Sequence, residues 1–319
     1  MTVELLIQNG SKIYQPAVVE GISLTTERKG TPGKLTFDVV KDASLNFQEG
    51  NAVRFTVDGT KMFYGFVFIK KRSKANTISV TAYDQLRYLK NKDTITYEGK
   101  KASEVVKMLA DDFNLQCGTL EDTGYVIESA VEENTGLFDM IQNALDVTLR
   151  NTKKLYVLYD DFGKLTLKNV ESMKLDLLID AETAEDFDYA SSIDDQTYNK
   201  IKLIYDNDKT GKREIYIAQD GSNINNWGVL QYHEALQNNT GAAARATALL
   251  GLYDKKTRTL TVKNAFGDPR VHAGCAVVVN LNLGDIITKN YMVVQKVKHT
   301  FTESEHLMDL TLIGGEFIA

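Results

Sequence analysis

The chain has 319 residues, a length that predicts two or three domains. Its 37 lysines and arginines stand against 43 aspartates and glutamates, and the resulting net charge of −6 argues against a tight nucleic-acid binder. No long apolar run and no signal-peptide pattern are present in the sequence, so we expect a cytosolic chain unless a machine or cell lysis releases it.

Residues 1–93 predict a first β domain. Apolar and polar residues alternate from Val3 to about Tyr88, and turn-forming residues at 31–34 and 57–60 separate the alternating runs. Several half-buried antiparallel strands in succession are typical of a closed sheet or barrel. We therefore predict a β-barrel for this part of the chain.

Residues 94–190 predict an α+β insertion. A first helix is expected over 103–113, and a second follows Thr135, which we interpret as its N-cap. The apolar face of the second helix is formed by Phe138, Ile141, Leu145 and Leu149. A hairpin is predicted around 160–163, and the acidic stretch 182–195 is predicted to be an irregular connector.

Residues 191–319 predict a second β domain. Two strands at 200–205 and 213–217 form a hairpin by pattern, and the alanine- and leucine-rich segment 241–253 predicts a helix. A further strand is expected at 258–263, before a closing β-rich run. This domain is therefore predicted to be a second barrel with one helix.

The closing run repeats a pattern from the first domain. Residues 50–53 read Gly-Asn-Ala-Val and residues 274–277 read Gly-Cys-Ala-Val. Each opens a strand, which is followed by a turn, a β-rich run with lysines at its end and an alternating strand. Two related halves in one chain predict a duplicated, ring-forming protein.

Metal-binding templates fit the chain poorly. His233-Glu234 begins a zinc-binding helix motif, but Gln237 stands where the second histidine ligand is required. Asp206, Asp208 and Thr210 imitate half of a calcium loop, yet Ile217 occupies the position of the bidentate glutamate. A surface histidine and a polar hairpin turn explain these residues better, so no metal or other cofactor is predicted.

Catalytic templates also fail. Gly30 to Lys34 lacks the spacer and the hydroxyl of a phosphate-binding loop. The acidic pairs 160–161 and 194–195 are interpreted as solvated turns rather than glycosidase carboxylates. Cys117 and Cys275 suggest neither a disulfide nor a zinc site and are predicted to be buried thiols, with a spatial cysteine–histidine pair left open. We nominate no catalytic, cofactor-binding or metal-binding residue.

Aromatic residues interleave with lysines between Phe63 and Arg72. Such a run could stack single-stranded nucleic acid. In an alternating β strand, however, aromatic residues more often form one buried face and lysines the solvated one, which is the interpretation we prefer.

Four segments, in order along nearly the whole chain, carry a family resemblance. They are residues 82–93 (AYDQLRYLKNKD), 227–231 (WGVLQ), 267–274 (GDPRVHAG) and 297–312. Together they resemble the baseplate hub proteins of contractile phage tails, the XkdQ/YqbQ type found in defective prophages and phage-tail-like bacteriocins. The hub region of type VI secretion spikes is similar in plan.

The resemblance implies a structural role without a reaction. In such hubs, two tail-tube-like barrels per chain let three chains form a pseudo-six-fold ring, which joins the tail tube to the central spike. The implied partners are the tail tube, spike and baseplate wedge proteins and a small peptidoglycan-binding protein of the LysM type. The implied location is the tail baseplate of a virion or bacteriocin particle, assembled in the bacterial cytoplasm. The acidic balance suits a channel through which DNA or a tape-measure protein slides.

The resemblance also implies roles for two turn residues. Gly267 to Pro269 would form a tight turn into the second barrel, and Gly274 would free the backbone before the next strand. The insertion 94–190 is expected to dock other baseplate proteins.

Two other functions remain open at this point. A tail-associated peptidoglycan hydrolase would place a carboxylate pair or a cysteine–histidine pair in a cleft. A type VI secretion spike would require a separate needle protein.

Overall fold

The computed structural model describes residues 1–72, 74, 76–194, 196–207, 210–236, 238–282 and 287–314. Over these residues the protein is mainly β, as the alternating sequence predicts. None of the described helices is long and apolar enough to span a bilayer. The first seven strands are β1 (Val3–Asn9), β2 (Lys12–Tyr14), β3 (Val18–Glu27), β4 (Lys34–Val40), β5 (Ala52–Val57), β6 (Thr60–Arg72) and β7 (Thr77–Tyr83).

A mixed α+β segment follows β7. It begins with a 3₁₀ helix over Gln85–Lys90 and contains a second one over Val170–Met173. Its other elements are β8 (Lys92–Lys101), α1 (Ala102–Asp112), β9 (Cys117–Leu120), β10 (Val126–Gly136), α2 (Leu137–Thr152), β11 (Tyr156–Asp160), β12 (Leu165–Asn169) and β13 (Lys174–Ile179).

The rest of the chain returns to strands with two helices among them. These elements are β14 (Asp186–Ser192), β15 (Lys200–Asn207), β16 (Lys212–Gln219), α3 (Gly221–Trp227), β17 (Gln231–Ala235), α4 (Ala242–Tyr253), β18 (Thr257–Phe266), β19 (Ala276–Asn282), β20 (Ile287–Phe301) and β21 (His306–Ile313). Helix α4 lies where the alanine- and leucine-rich segment predicts one.

One large sheet contains both β-rich parts of the chain. Its strand order is β14-β18-β21-β20-β3-β4-β7-β6-β5-β1-β2, and β19 joins it by pairing with β20 and with β13. The pairings of the described residues therefore follow an open path, and they differ from the two closed barrels predicted from the sequence. The reason is β20, whose fifteen residues pair with β19, β21 and β3 and so connect the two halves edge to edge.

The helices of the insertion begin and end close to their predicted limits. Ile141 and Leu145 of α2 are buried in the core of this segment, and Phe138 packs at its edge. The N-cap of α2 is Gly136 rather than the predicted Thr135, because the Thr135 hydroxyl donates to the carbonyl of Glu133 instead.

The irregular connector predicted over the acidic residues 182–195 is wrong for half of its length. Residues Asp186–Ser192 form β14, which pairs with β18. Charged residues are rare in central strands but common on edge strands, where their side chains stay in water. Asp194 follows this strand at the surface, and Asp195 lies outside the described residues.

The described chain separates into two compact units, residues 1–188 with 260–319 and residues 189–259. In the smaller unit, β16, β15 and β17 form a three-stranded sheet. Its core contains Ile201 and Leu203 of β15 and Ala246 and Leu249 of α4. The division of the chain into three consecutive domains at residues 93 and 190 stays a prediction.

Candidate assembly site

The two metal templates do not form ligand clusters. His233 is exposed on β17, and Gln237 and Asp208 lie outside the described residues. Asp206 forms an ion pair with Arg213 across the β15–β16 hairpin, with 2.6 Å between Oδ1 and Nε. Within the part of the chain that the structure describes, no group of three or more histidine, cysteine, aspartate or glutamate side chains could hold a metal ion.

The Gly30 to Lys34 loop binds a carboxylate of the chain itself. The Gly33 N–H donates to Oδ2 of Asp84 at 2.9 Å, and Oδ1 of Asp84 accepts from the Leu86 N–H at 3.0 Å. A Cβ on Gly33 would lie 2.3 Å from Asp84 Oδ2, so only glycine fits this approach. Asp84 thus connects the β3–β4 loop to the start of the insertion.

Asp84 has a second carboxylate beside it. Burial and the nearby charge of Asp160 raise the pKa of Asp84 well above its ordinary value. Burial likewise raises the pKa of Asp160 to about 6, although its Oδ1 accepts from the Gly163 N–H at 2.6 Å. The hairpin predicted at 160–163 is confirmed, but Asp160 is not the solvated residue expected there, whereas Asp161 is exposed.

These carboxylates have the environment of a structural contact rather than a hydrolytic pair. Asp84 is only 5 % exposed, and both of its oxygens already accept backbone hydrogen bonds. A cleft of about 340 Å³ lies nearby and is lined by Gln85 and Gly163, but neither carboxylate lines it. A glycosidase needs two carboxyl groups that reach the substrate, and this pair does not provide them.

The cysteines are poor nucleophiles. Cys275 is buried, and burial raises the pKa of its thiol to about 12. Its neighbour His272 stacks on Tyr159 with 4.4 Å between ring centroids, and burial lowers the pKa of this histidine. Burial also raises the pKa of Cys117. A reactive thiol requires a lowered pKa, and neither cysteine has one. The predicted burial is confirmed for Cys275 and is wrong for Cys117, which is half-buried.

The aromatic run of β6 is used on both faces of the strand. Phe63 and Val67 lie in the core of the first β-rich part. On the other face, Tyr64 lies 5.8 Å from Phe162 and Phe66 lies 6.3 Å from Tyr88, measured between ring centroids. These contacts attach the insertion to the sheet, which leaves the nucleic-acid stacking hypothesis without an aromatic platform in this run.

The duplication predicted from the sequence is confirmed by matching backbone geometry. Gly50 and Gly274 have φ values of 85° and 98°, the left-handed region that favours glycine. Each is the third residue of a four-residue turn before a strand. The Gly50 N–H donates to the carbonyl of Val67 and the Gly274 N–H to that of Val294, both at 2.8 Å.

The two copies also share a β-bulge. In the first copy, the β6–β7 register shifts between Val67 and Ile69. In the second, the β20–β21 register shifts between Val294 and Lys296. The same turn, the same hydrogen bonds and the same bulge place β5, β6 and β7 in correspondence with β19, β20 and β21.

The copies meet where β20 pairs with β3. Six residue pairs run from Lys296 opposite Glu27 to Phe301 opposite Ile22. Lys296 and Glu27 also form an ion pair with 2.9 Å between Nζ and Oε1. Phe301 is 2 % exposed and lies in the core of the first copy, where its ring meets that of Phe55 edge-on at 5.0 Å.

Buried His299 of β20 contacts half-buried His306, the first residue of β21. His299 Nε2 lies 2.9 Å from the carbonyl of Val271, and its Nδ1 lies 2.8 Å from Nε2 of His306. Burial and the neighbouring His306 lower the pKa of His299 to about 3, so its ring is neutral at physiological pH.

Sequence reasoning identified neither the pairing of β3 with β20, which we call the seam, nor the role of Asp84. The β3–β20 contact joins strands more than 250 residues apart, and its only local trace is the lysine-rich end of the repeated β run. Asp84 lies inside the segment 82–93 that carries the family resemblance. An aspartate directly after an alternating strand, at the N-cap position of the next helical segment, is the signal that could have drawn attention to it.

Comparison with known families covers most of the chain. A model of the protein family described as YQBQ-like matches residues 22–313. The protein YqbQ of Bacillus subtilis (strain 168) is 31% identical over 306 residues, which are 93% of this chain and 92% of YqbQ. The phage-like element PBSX protein XkdQ of the same strain is 29% identical over 306 residues, again 93% of this chain and 92% of XkdQ.

Solved structures share the fold. The 43 kDa tail protein of prophage MuSo2 from Shewanella oneidensis has a TM-score of 0.71. The match covers 99% of this chain and 100% of that protein at 14% sequence identity. At this identity the likeness shows a common fold.

Proposed function

We propose that this chain, which belongs to the YQBQ-like family, is the structural hub of a contractile-tail baseplate. In this proposal three chains form a ring with pseudo-six-fold symmetry, and the ring joins the tail tube to the central spike. The names of its relatives support a place in a phage-derived tail, since XkdQ is a phage-like element protein and the MuSo2 protein is a tail protein.

The duplicated turn, bulge and meander carry this proposal. Three copies of a chain with two equivalent repeats present six similar positions, which can match a six-fold tube, while the ring as a whole keeps three-fold symmetry for a spike. In the proposal, β3–β7 and the strands β14 and β18–β21 are the two tube-like modules. The pairing of β3 with β20 supports this assignment, because it places the two modules side by side in one sheet.

The proposed hub acts by assembly and performs no reaction. Its partners would be the tail tube, spike and wedge proteins and a small LysM-type protein, and its location the baseplate of a virion or bacteriocin particle. The raised pKa of Cys275 and the buried, hydrogen-bonded Asp84 support a structural role for the residues that a hydrolase would use as nucleophile or acid.

The mass of the purified chain, measured by light scattering over a wide concentration range, tests this proposal. We expect a trimer that forms as the concentration rises, and no clearing of peptidoglycan by the same preparation. A chain that stays monomeric and clears peptidoglycan would overturn the hub in favour of the tail-associated hydrolase.

A further inference from the structure

We propose that neighbouring chains join by antiparallel pairing of the free end of β6 in one chain with the outer edge of β14 in the next. This inference rests on the proposed hub function and identifies the partner of each edge as a second copy of this chain. It assigns a role to two edges that the sequence and the family comparison leave unexplained.

The junction inside the chain supplies the template. The first repeat has the strand order β3-β4-β7-β6-β5, and the second has the order β14-β18-β21-β20-β19. By this correspondence β3 matches β14 and β6 matches β20. Because β3 pairs with β20 inside one chain, the equivalent contact between chains pairs β14 with β6.

The edge of β6 is open at the equivalent position. Strand β5 covers β6 only as far as the bonds between Val67 and the turn at Gly50. Beyond this point, residues 69–72 pair with β7 alone among the described residues. In the second repeat, β19 and the turn before it cover β20 only as far as Val294, the equivalent of Val67. From Lys296 onward, β3 pairs with β20 on that side.

The edge of β14 is open in the same sense. Among the described residues, β14 pairs with β18 and is the last strand on that side of the large sheet. The Glu185 N–H donates to the carbonyl of Lys263 at 3.2 Å and the Phe266 N–H to that of Thr183 at 3.2 Å, which makes β14 and β18 antiparallel. Strands β3 and β4 have this same relation.

The two edges have opposite charge. The β6 end carries Lys70, Lys71 and Arg72, followed by the exposed Lys74. The β14 edge and the residues before it carry exposed Glu182, Glu185, Asp186 and Asp188. Like charges opposite each other destabilise strand pairs, so each edge repels its own copy and attracts the other. Only a head-to-tail arrangement satisfies both edges. A head-to-tail contact forms a ring when its rotation closes after a whole number of chains, which is three in the proposed hub.

Each edge also exposes an apolar side chain. Ile69 of β6 is 39 % exposed and Phe187 of β14 is 37 % exposed. Charged edges protect isolated sheets from aggregation, and burying an apolar side chain against a neighbouring strand adds to the stability of the pairing. A neighbouring strand would cover both.

Charge reversal tests this pairing. One variant carries Lys71→Glu with Arg72→Glu, a second carries Asp186→Lys with Asp188→Lys, and a third carries all four changes. We expect each double variant to raise the concentration needed for half-assembly at least tenfold, and the fourfold variant to recover most of the loss. Lys12→Glu with Lys92→Glu changes the charge equally at exposed lysines away from both edges and should leave assembly unchanged.

A second measurement locates the contact directly. Carbodiimide coupling of a mixture of ¹⁴N- and ¹⁵N-labelled wild-type chains should give mixed-isotope peptides that join Lys71 to Asp186 or Asp188. Far-UV circular dichroism of every variant establishes that it is folded.

The outcomes separate this inference from the hub itself. A wild-type trimer that both double variants leave intact overturns the strand pairing but not the hub. Folded double variants that fail to assemble, with no recovery in the fourfold variant, also overturn the pairing. A wild-type chain that is monomeric at every concentration overturns the pairing between copies of this chain, and if the same chain clears peptidoglycan it overturns the hub as well.

Discussion

Replacing Asp160 with asparagine is expected to stabilise the protein at neutral and alkaline pH. Burial raises the pKa of Asp160 from its ordinary value of 3.8 to about 6. Between these values the folded chain binds a proton more tightly than the unfolded chain does, so the free energy of unfolding falls as the pH rises through this window. Each unit of difference between the folded and unfolded pKa corresponds to about 1.4 kcal/mol. The charged Asp160 therefore lowers the free energy of unfolding by about 3 kcal/mol above pH 6.

Asparagine removes that charge and keeps an oxygen for the Gly163 N–H, which donates at 2.6 Å. It also removes the repulsion that contributes to the raised pKa of Asp84. We therefore expect Asp160→Asn to raise the free energy of unfolding by up to about 3 kcal/mol at pH 8 and by little at pH 4.

Urea unfolding followed by far-UV circular dichroism between pH 4 and pH 8 measures this effect. The adjacent Asp161→Asn is the matched control, because Asp161 is exposed and should change the unfolding free energy little at any pH. The reasoning is refuted if the two variants have the same pH dependence, or if the gain from Asp160→Asn is equal at pH 4 and pH 8.

Three further predictions concern the repeats and their seam. Phe301→Ala should cost about 3–5 kcal/mol of unfolding free energy in urea titrations, whereas Phe266→Ala, at a residue 68 % exposed, should cost far less; equal losses would contradict the role of the seam. The pKa of His299 is lowered to about 3 in the folded chain, so the unfolded chain binds this proton first as the pH falls below 6.5. The free energy of unfolding of the wild type should therefore fall by about 2 kcal/mol by pH 5. His299→Asn should remove this fall, which urea unfolding of both proteins at each pH measures. Ala at Gly50 or Gly274 should cost about 1–2 kcal/mol for the positive φ, and Gly274→Ala should cost more because its Cβ would lie 2.5 Å from a valine side chain; calorimetric melting of both variants measures the difference.

Local patterns in the sequence were sufficient for most elements of this protein, although they missed β14 and α3. Period-two alternation predicts the strands of both β-rich parts, and spacing of apolar residues predicts α1 and α2. The repeated Gly-x-Ala-Val predicts the duplication, because the turn at Gly50 and Gly274 requires a residue that accepts positive φ next to a strand. These properties depend on residues close together in the chain, so a sequence displays them directly.

The tertiary structure alone decided how these elements combine. The pairing of β3 with β20, the position of Phe301 in the core of the first repeat and the buried carboxylates Asp84 and Asp160 all join residues that are distant in sequence. The acidic segment became the edge strand β14 because an edge lets aspartates stay in water while the backbone pairs on one side. Strand partners and burial depend on the whole packed chain, and alternation specifies only that a strand has two faces, not which strand lies beside it.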